Sequence, residues 1–171
     1  MKTLVLGGVR SGKSRYAETL ARQALEPVTY IATATAEDDE MRRRIDAHRT
    51  HRPPEWTVVE EPLALADALT RHAHDGRFVI VDCLTLWLTN LLLQDNARFD
   101  RERAALFAAL PGLRGDVVFV SNETGLGIVP LGELSRRFND EAGRLHQDLA
   151  QGCEHVVLMV AGLPLTLKGA A

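Results

Sequence analysis

Residues Gly7-Gly8-Val9-Arg10-Ser11-Gly12-Lys13-Ser14 follow the spacing G-x-x-x-x-G-K-S/T. Glycines at those places let successive backbone N–H groups turn toward one polyphosphate, Lys13 reaches the outer phosphates, and Ser14 offers its hydroxyl to Mg²⁺. The helix expected to start near Lys13 adds the positive end of its dipole. A strand-like run, Thr3-Leu4-Val5-Leu6, precedes the loop and a helical period follows it. That context separates a phosphate loop from a glycine-rich turn with a fortuitous lysine. Such a site also needs a carboxylate close to the cation, and Phe78-Val79-Ile80-Val81-Asp82 ends an apolar run on one. Asp82 is therefore the expected Mg²⁺ ligand beside Ser14; its competing role is to cap the helix that follows. These residues point to a nucleoside triphosphate with Mg²⁺ and leave open whether a kinase or an ATPase motor uses it.

A second group lies at residues 37–52, where acids crowd the start and Arg42, Arg43, Arg44, Arg49 and Arg52 follow. That order suits a helix dipole, and Thr35 with Asp38 has the spacing of a capping arrangement. Met41, Ile45 and His48 fall at i, i+4 and i+7, which puts His48 on the inward stripe of such a helix. By itself this is the pattern of a satisfied, partly buried histidine, and the arginines that of a solvated face.

The elements that must position these groups are legible as alternating periods. Strand-length apolar runs fall at residues 3–6, 28–33, 57–60, 78–82, 117–121 and 155–161, and helical patterns at 13–25, 37–49, 63–74, 84–94, 101–110 and 134–151. This alternation predicts an α/β fold, a mainly parallel sheet with helices on both faces, and a ligand crevice beyond the carboxyl ends of the strands. At 171 residues, 46% hydrophobic and 25% charged, with a formal charge of -3, the chain has the size of a single domain, residues 1–171, with a sizeable core. The balance excludes disorder as the main state and argues against general nucleic-acid binding. The most apolar uncharged run, residues 83–94, is too short to span a membrane. The apolar stretch after Lys2 is only Leu4-Val5-Leu6, so no secretory leader is expected and a cytoplasmic location is. Cys83 and Cys153 form no C-x-x-C pair, which suggests neither a disulfide framework nor structural zinc.

Seven ordered blocks then make the sequence recognisable: Gly7 to Arg15, Tyr30-Ile31-Ala32-Thr33-Ala34, Asp38-Asp39-Glu40-Met41 with Arg44-Ile45 and His48, Arg52-Pro53 with Trp56 and Glu60, Asp82-Cys83-Leu84-Thr85-Leu86-Trp87-Leu88-Thr89-Asn90, Ser121-Asn122-Glu123-Thr124-Gly125-Leu126-Gly127-Ile128-Val129-Pro130, and Arg137-Phe138-Asn139-Asp140 with Gly143-Arg144 and Ala161-Gly162-Leu163-Pro164-Leu165. The match runs from Leu4 to Lys168, nearly the whole chain. The chain closely resembles the bifunctional adenosylcobinamide kinase/adenosylcobinamide-phosphate guanylyltransferase family of cobalamin biosynthesis. That resemblance implies a P-loop NTPase fold of RecA-like type and two reactions. A nucleoside triphosphate, ATP or GTP, phosphorylates adenosylcobinamide; a histidine then takes GMP from GTP and passes it to adenosylcobinamide phosphate, giving adenosylcobinamide-GDP.

Carried onto this chain, the resemblance makes His48 the guanylylated nucleophile, with His51 its competitor, and Lys13 the catalytic cation. It maps nucleotide contacts to Gly7, Gly8, Val9, Arg10, Ser11, Gly12, Lys13 and Ser14, to Thr33, Ala34 and Thr35, to Arg49, Thr50, His51 and Arg52, and to Glu60 and Asp82, with Mg²⁺ on Ser14 and Asp82. γ-Transfer and α-attack present different phosphorus atoms, so the nucleotide or the His48 helix is expected to shift. Glu123 is a candidate for positioning the cobinamide hydroxyl or a Mg²⁺ water, and equally for holding the loop at 125–127. Arg136, Arg137 and Arg144 are expected to cover their own helix, and Trp87 with Leu91 to Leu93 to serve as core or subunit contact. Val9 and Thr124 depart mildly from the family's usual residues without removing a reactive group. The resemblance also implies a homotrimer with sites near subunit boundaries. The rivals are a P-loop small-molecule kinase without nucleotidyl transfer and a RecA-like nucleotide-binding assembly module.

Overall fold

Continuous apolar runs, rather than alternating ones, occupy the middle of the sheet. In the computed structural model, which describes residues 1–35 and 53–169, the strands are β1 (Lys2–Gly7), β2 (Val28–Ala32), β3 (Thr57–Glu60), β4 (Phe78–Asp82), β5 (Asp116–Asn122), β6 (His155–Val160) and β7 (Leu163–Lys168). The described helices are α1 (Lys13–Gln23), α2 (Leu65–His72), α3 (Leu84–Leu92), α4 (Asn96–Ala109) and α5 (Glu133–Gly152). The sheet order is β3-β2-β4-β5-β1-β6-β7, parallel at every pairing except β6 with β7. Strands closed on both faces cannot alternate, so Val79, Ile80 and Val81, and likewise Val117 to Val120, are buried without interruption.

Successive side chains still point to opposite sides and feed two cores. Leu4, Leu6, Val79, Val81, Val117 and Phe119 meet Leu65 and Leu69 of α2, Trp87 and Leu91 of α3, Leu106 of α4, and Leu145 and Leu149 of α5. On the other face Val5, Tyr30, Ile80, Val118 and Val120 meet Ala17 and Ala21 of α1, with Trp56 closing the cluster. Trp87 and Leu91 are core, with Trp87 Nε1 donating to the Leu63 carbonyl at 2.8 Å, whereas Leu93 is exposed. No helix among the described residues is long and apolar enough to cross a membrane.

All six expected strands form, and β7 is an addition. Its six residues are exposed, so it carries no buried apolar run, and it returns antiparallel through a turn at Ala161 and Gly162 with φ 51° and 82°. Two successive positive φ values suit a tight hairpin, and they end β6 at Val160 rather than at residue 161. Helix α4 starts five residues earlier than residue 101 because Asp95 caps it, accepting from Arg98 N at 2.8 Å. Helix α2 starts later than residue 63 because Glu61 Oε1 holds the Leu63 and Ala64 amides at 3.1 and 2.8 Å. Helix α1 stops at Gln23, before Leu25 turns to φ 58°. The helix expected at 37–49, with Met41, Ile45, His48 and the Thr35–Asp38 cap, lies outside the described residues.

Candidate active site

The loop between β1 and α1 turns back sharply over the sheet's carboxyl edge. Gly7 has φ +153°, and a Cβ there would lie 2.6 Å from the Met159 carbonyl oxygen and from Ser11 Oγ. Gly12 enters α1 at φ +100°, where the left-handed region excludes most side chains. Ser11 N donates to the Gly8 carbonyl at 3.2 Å, and Gly162 N donates to the Ser11 carbonyl at 3.0 Å, so the β6–β7 turn braces the loop. Ser11 Oγ is buried with no partner, a hydroxyl held inside the phosphate cradle. Val9 and Arg10 face outward, Arg10 with φ 56°.

Lys13 is 7% exposed, and its Nζ donates to the Gly8 carbonyl at 2.6 Å. Burial lowers its pKa, while the charge of Asp82, and less so the Cys83 thiol, acts to raise it. Asp82 therefore lies within electrostatic reach of Lys13, as a strand-end carboxylate beside a phosphate loop must. Tyr30, from β2, donates its hydroxyl to Asp82 Oδ2 at 2.7 Å and fixes the carboxylate's orientation. The competing cap role is not what the structure shows: α3 begins after Cys83, with no side-chain cap.

Thr33 is fully buried and clips two strand ends together. Its Oγ1 donates to the Cys83 carbonyl at 2.7 Å and accepts from Cys83 N at 2.9 Å, and its own carbonyl accepts from Asn90 Nδ2 at 2.8 Å. Thr35 Oγ1 lies 3.5 Å from Asn90 Oδ1, so the chain after β2 is tied to α3. Ala34 sits between these two anchored residues. Glu60 ends β3 at the far edge of the sheet, with β2, β4 and β5 between it and the loop strand. At ~4.8 Å per strand the separation is about 19 Å. His48, Arg49, Thr50, His51 and Arg52 lie outside the described residues.

Glu123 leaves β5, the strand between β1 and β4, and its amide donates to the Gly7 carbonyl at 3.0 Å. Its Oε1 accepts from Gly125 N at 2.7 Å, so it does hold the loop that follows. Behind it lies a polar set that the residue types alone did not single out: half-buried Thr85 with buried Ser121 and His146. The available signal was spacing, since Ala142, Leu145, His146 and Leu149 share one buried stripe of α5. The arginines of α5 are occupied structurally. Arg136 donates to the Pro130 and Leu131 carbonyls, Arg137 to Asn96 Oδ1 at 2.8 Å, and Arg144 to Glu141 at 2.7 Å.

A parallel sheet with helices on both faces, a glycine-braced loop ending in Lys13-Ser14, and a strand-end Asp82 define a P-loop nucleotide-binding protein. The model of the cobinamide kinase / cobinamide phosphate guanyltransferase family matches residues 3–167, and the chain belongs to that family. It is 61% identical, over 99% of its length and 98% of the relative's, to the bifunctional adenosylcobalamin biosynthesis protein CobP of Pseudomonas aeruginosa. It is 39% identical to the bifunctional protein CobU of Escherichia coli, over 98% of this chain and 100% of that one. Among solved structures, a Pyrococcus horikoshii protein aligns with TM-score 0.58 at 8% identity over 99% of this chain and 87% of that one. The RadB recombinase aligns with TM-score 0.53 at 14% identity over 92% and 73%. These two likenesses concern the fold, which is that of RecA-like P-loop proteins as expected.

Proposed function

We propose that this protein phosphorylates adenosylcobinamide with ATP or GTP and then transfers GMP from GTP to the resulting adenosylcobinamide phosphate, releasing pyrophosphate and forming adenosylcobinamide-GDP. The observation that carries this is the family match over residues 3–167, a span that contains the phosphate loop between β1 and α1. Both half-reactions then draw on the same triphosphate site. Gly7 to Ser14 wrap the phosphates with backbone amides, and Lys13 neutralises the outer ones. Ala34, Thr35 and Glu60 serve as contacts toward the base end along the carboxyl edge, while Thr33, fully buried, anchors the segment that carries the first two.

The donor chemistry fits Mg²⁺: the Ser14 hydroxyl and the Asp82 carboxylate are hard oxygen ligands, and Tyr30 orients the latter. When bound there, Mg²⁺ supplies charge neutralisation on the phosphate oxygens.

In guanylyl transfer His48 attacks the α-phosphorus. A nitrogen–phosphorus bond forms and the bond to the α–β bridging oxygen breaks with its electron pair on pyrophosphate. A phosphate oxygen of adenosylcobinamide phosphate then displaces the histidine. Arg49, Thr50, His51 and Arg52 serve as nucleotide contacts; cations beside the imidazole keep it neutral and therefore nucleophilic. We further infer a homotrimer in the cytoplasm.

Incubation with α-labelled GTP tests the reading. An acid-labile, alkali-stable label on the wild type that His48→Asn lacks is expected; an unlabelled wild type overturns it.

A further inference from the structure

Four polar side chains behind the phosphate loop are strung in a row, hydrogen-bonded from Thr85 through Ser121 to His146 and closed by a longer His146–Glu123 approach, and the direction of the row can be assigned. Asn122 N donates to Thr85 Oγ1 at 2.7 Å, Thr85 Oγ1 lies 3.4 Å from Ser121 Oγ, Ser121 Oγ lies 2.7 Å from His146 Nε2, and His146 Nδ1 lies 3.7 Å from Glu123 Oε2. A carboxylate facing a bare imidazole nitrogen is repulsive, so Nδ1 carries the ring proton. Burial lowers the ring's pKa and keeps it neutral, which leaves Nε2 to accept from the Ser121 hydroxyl. Ser121 in turn accepts from Thr85. Every donor thus points one way, from the β5 backbone to the Glu123 carboxylate.

The row ends beside the phosphate loop, where the Glu123 amide donates to the Gly7 carbonyl. Strand β5 lies between β1 and β4, with Asn122 in register with Gly7, so Glu123 emerges between the loop carrying Lys13 and the strand ending in Asp82. A carboxylate that merely holds a turn needs the Gly125 amide and nothing more. Here Nδ1 of a histidine only 6% exposed has no hydrogen-bond partner and is directed at the second oxygen. Ser121, 1% exposed, is closed to substrate, so this is not a nucleophilic triad.

We infer that Glu123 is the general base for the corrinoid hydroxyl in the phosphoryl-transfer step, with His146 as the residue that positions it. This rests on the kinase half of the proposed function. The hydroxyl oxygen bonds to the γ-phosphorus and the bond to the β–γ bridging oxygen breaks with its electron pair on the nucleoside diphosphate. The hydroxyl proton passes to Glu123, which returns it to water after product leaves. Glu123 is the charged group that faces His146. Helix α3 has no charged residue, β1 and β5 carry only Lys2 and Asp116 at their far ends, and Arg103 of α4 pairs with Asp148 at 2.6 Å.

Full-length protein is assayed for adenosylcobinamide phosphorylation and, separately, for labelling by α-labelled GTP. Glu123→Gln is expected to lower kcat for phosphorylation about 100-fold or more, with little change in KM for adenosylcobinamide and labelling intact. His146→Leu removes the Nδ1 donor, so it is expected to lower kcat severalfold with KM for adenosylcobinamide unchanged. His146→Asn, which restores a donor toward Glu123, is expected to recover most of that loss, and a His146→Asn protein no faster than His146→Leu overturns the positioning role. A Glu123→Gln protein that phosphorylates at the wild-type rate overturns the inference alone, as does one that loses labelling in parallel. A wild type that labels but does not phosphorylate overturns the kinase half of the proposed function with it.

Discussion

At Gly7 a single missing carbon shapes the phosphate site. The atoms that a Cβ would meet include the Met159 backbone oxygen, which cannot swing aside as the end of a side chain does. Gly7→Ala is therefore expected to destabilise the protein by about 1–3 kcal/mol, the usual cost of forcing atoms into a packed site, and to weaken nucleotide binding. Urea unfolding and nucleotide titration measure the two effects. A variant with wild-type stability and affinity would show that the loop shifts freely. Lys13 and Asp82 were legible from their spacing, because a phosphate and its cation demand those types after those strands. Tyr30, Thr33 and His146 carried no such spacing, Thr33 being expected from resemblance only as a nucleotide contact. Their roles come from partners 52, 50 and 25 residues away in sequence, Asp82, Cys83 and Ser121.

Among the elements, periodicity located those with a buried face and missed what local capping or exposure decides. Helix α4 is an instance: one aspartate sets its start, and Asp95→Ala is expected to cost about 1 kcal/mol of stability, with fraying of its first turn. Hydrogen exchange at residues 96–99 and a denaturant midpoint check this; unchanged exchange would mean that Phe99 packing alone holds the end. Strand β7 escaped detection for the opposite reason. Strand assignment from buried runs cannot see a strand exposed along its whole length, and its pairing depends on the left-handed turn at Ala161-Gly162.

In the molecule as a whole, the exposed apolar side chains are unevenly spread. Leu163, Leu165 and Leu167 line β7, and Leu126, Ile128, Val129 and Leu131 lie on the stretch before α5, several of them more than 80% exposed. Apolar groups gathered in this way call for a covering surface. The inferred homotrimer supplies one, and sedimentation equilibrium is expected to return three times the 18.8 kDa of the chain. A monomeric mass across the micromolar range would refute it. Charge tells a similar story of concentration: a net -3 conceals Lys13 buried at one sheet edge beside Asp82.

The sequence by itself determined the phosphate loop, the strand-end carboxylate Asp82, the mainly parallel α/β architecture and the family, because each is written in contiguous residues or in a short period. Only the tertiary structure decided that β5 stands between β1 and β4 and so brings Glu123 to the phosphate loop. It also brought Ser121 and His146 together behind that carboxylate. Strand order and the meeting of a strand end with a helix stripe arise from long-range packing of the two cores. No local pattern encodes which strand will lie beside which.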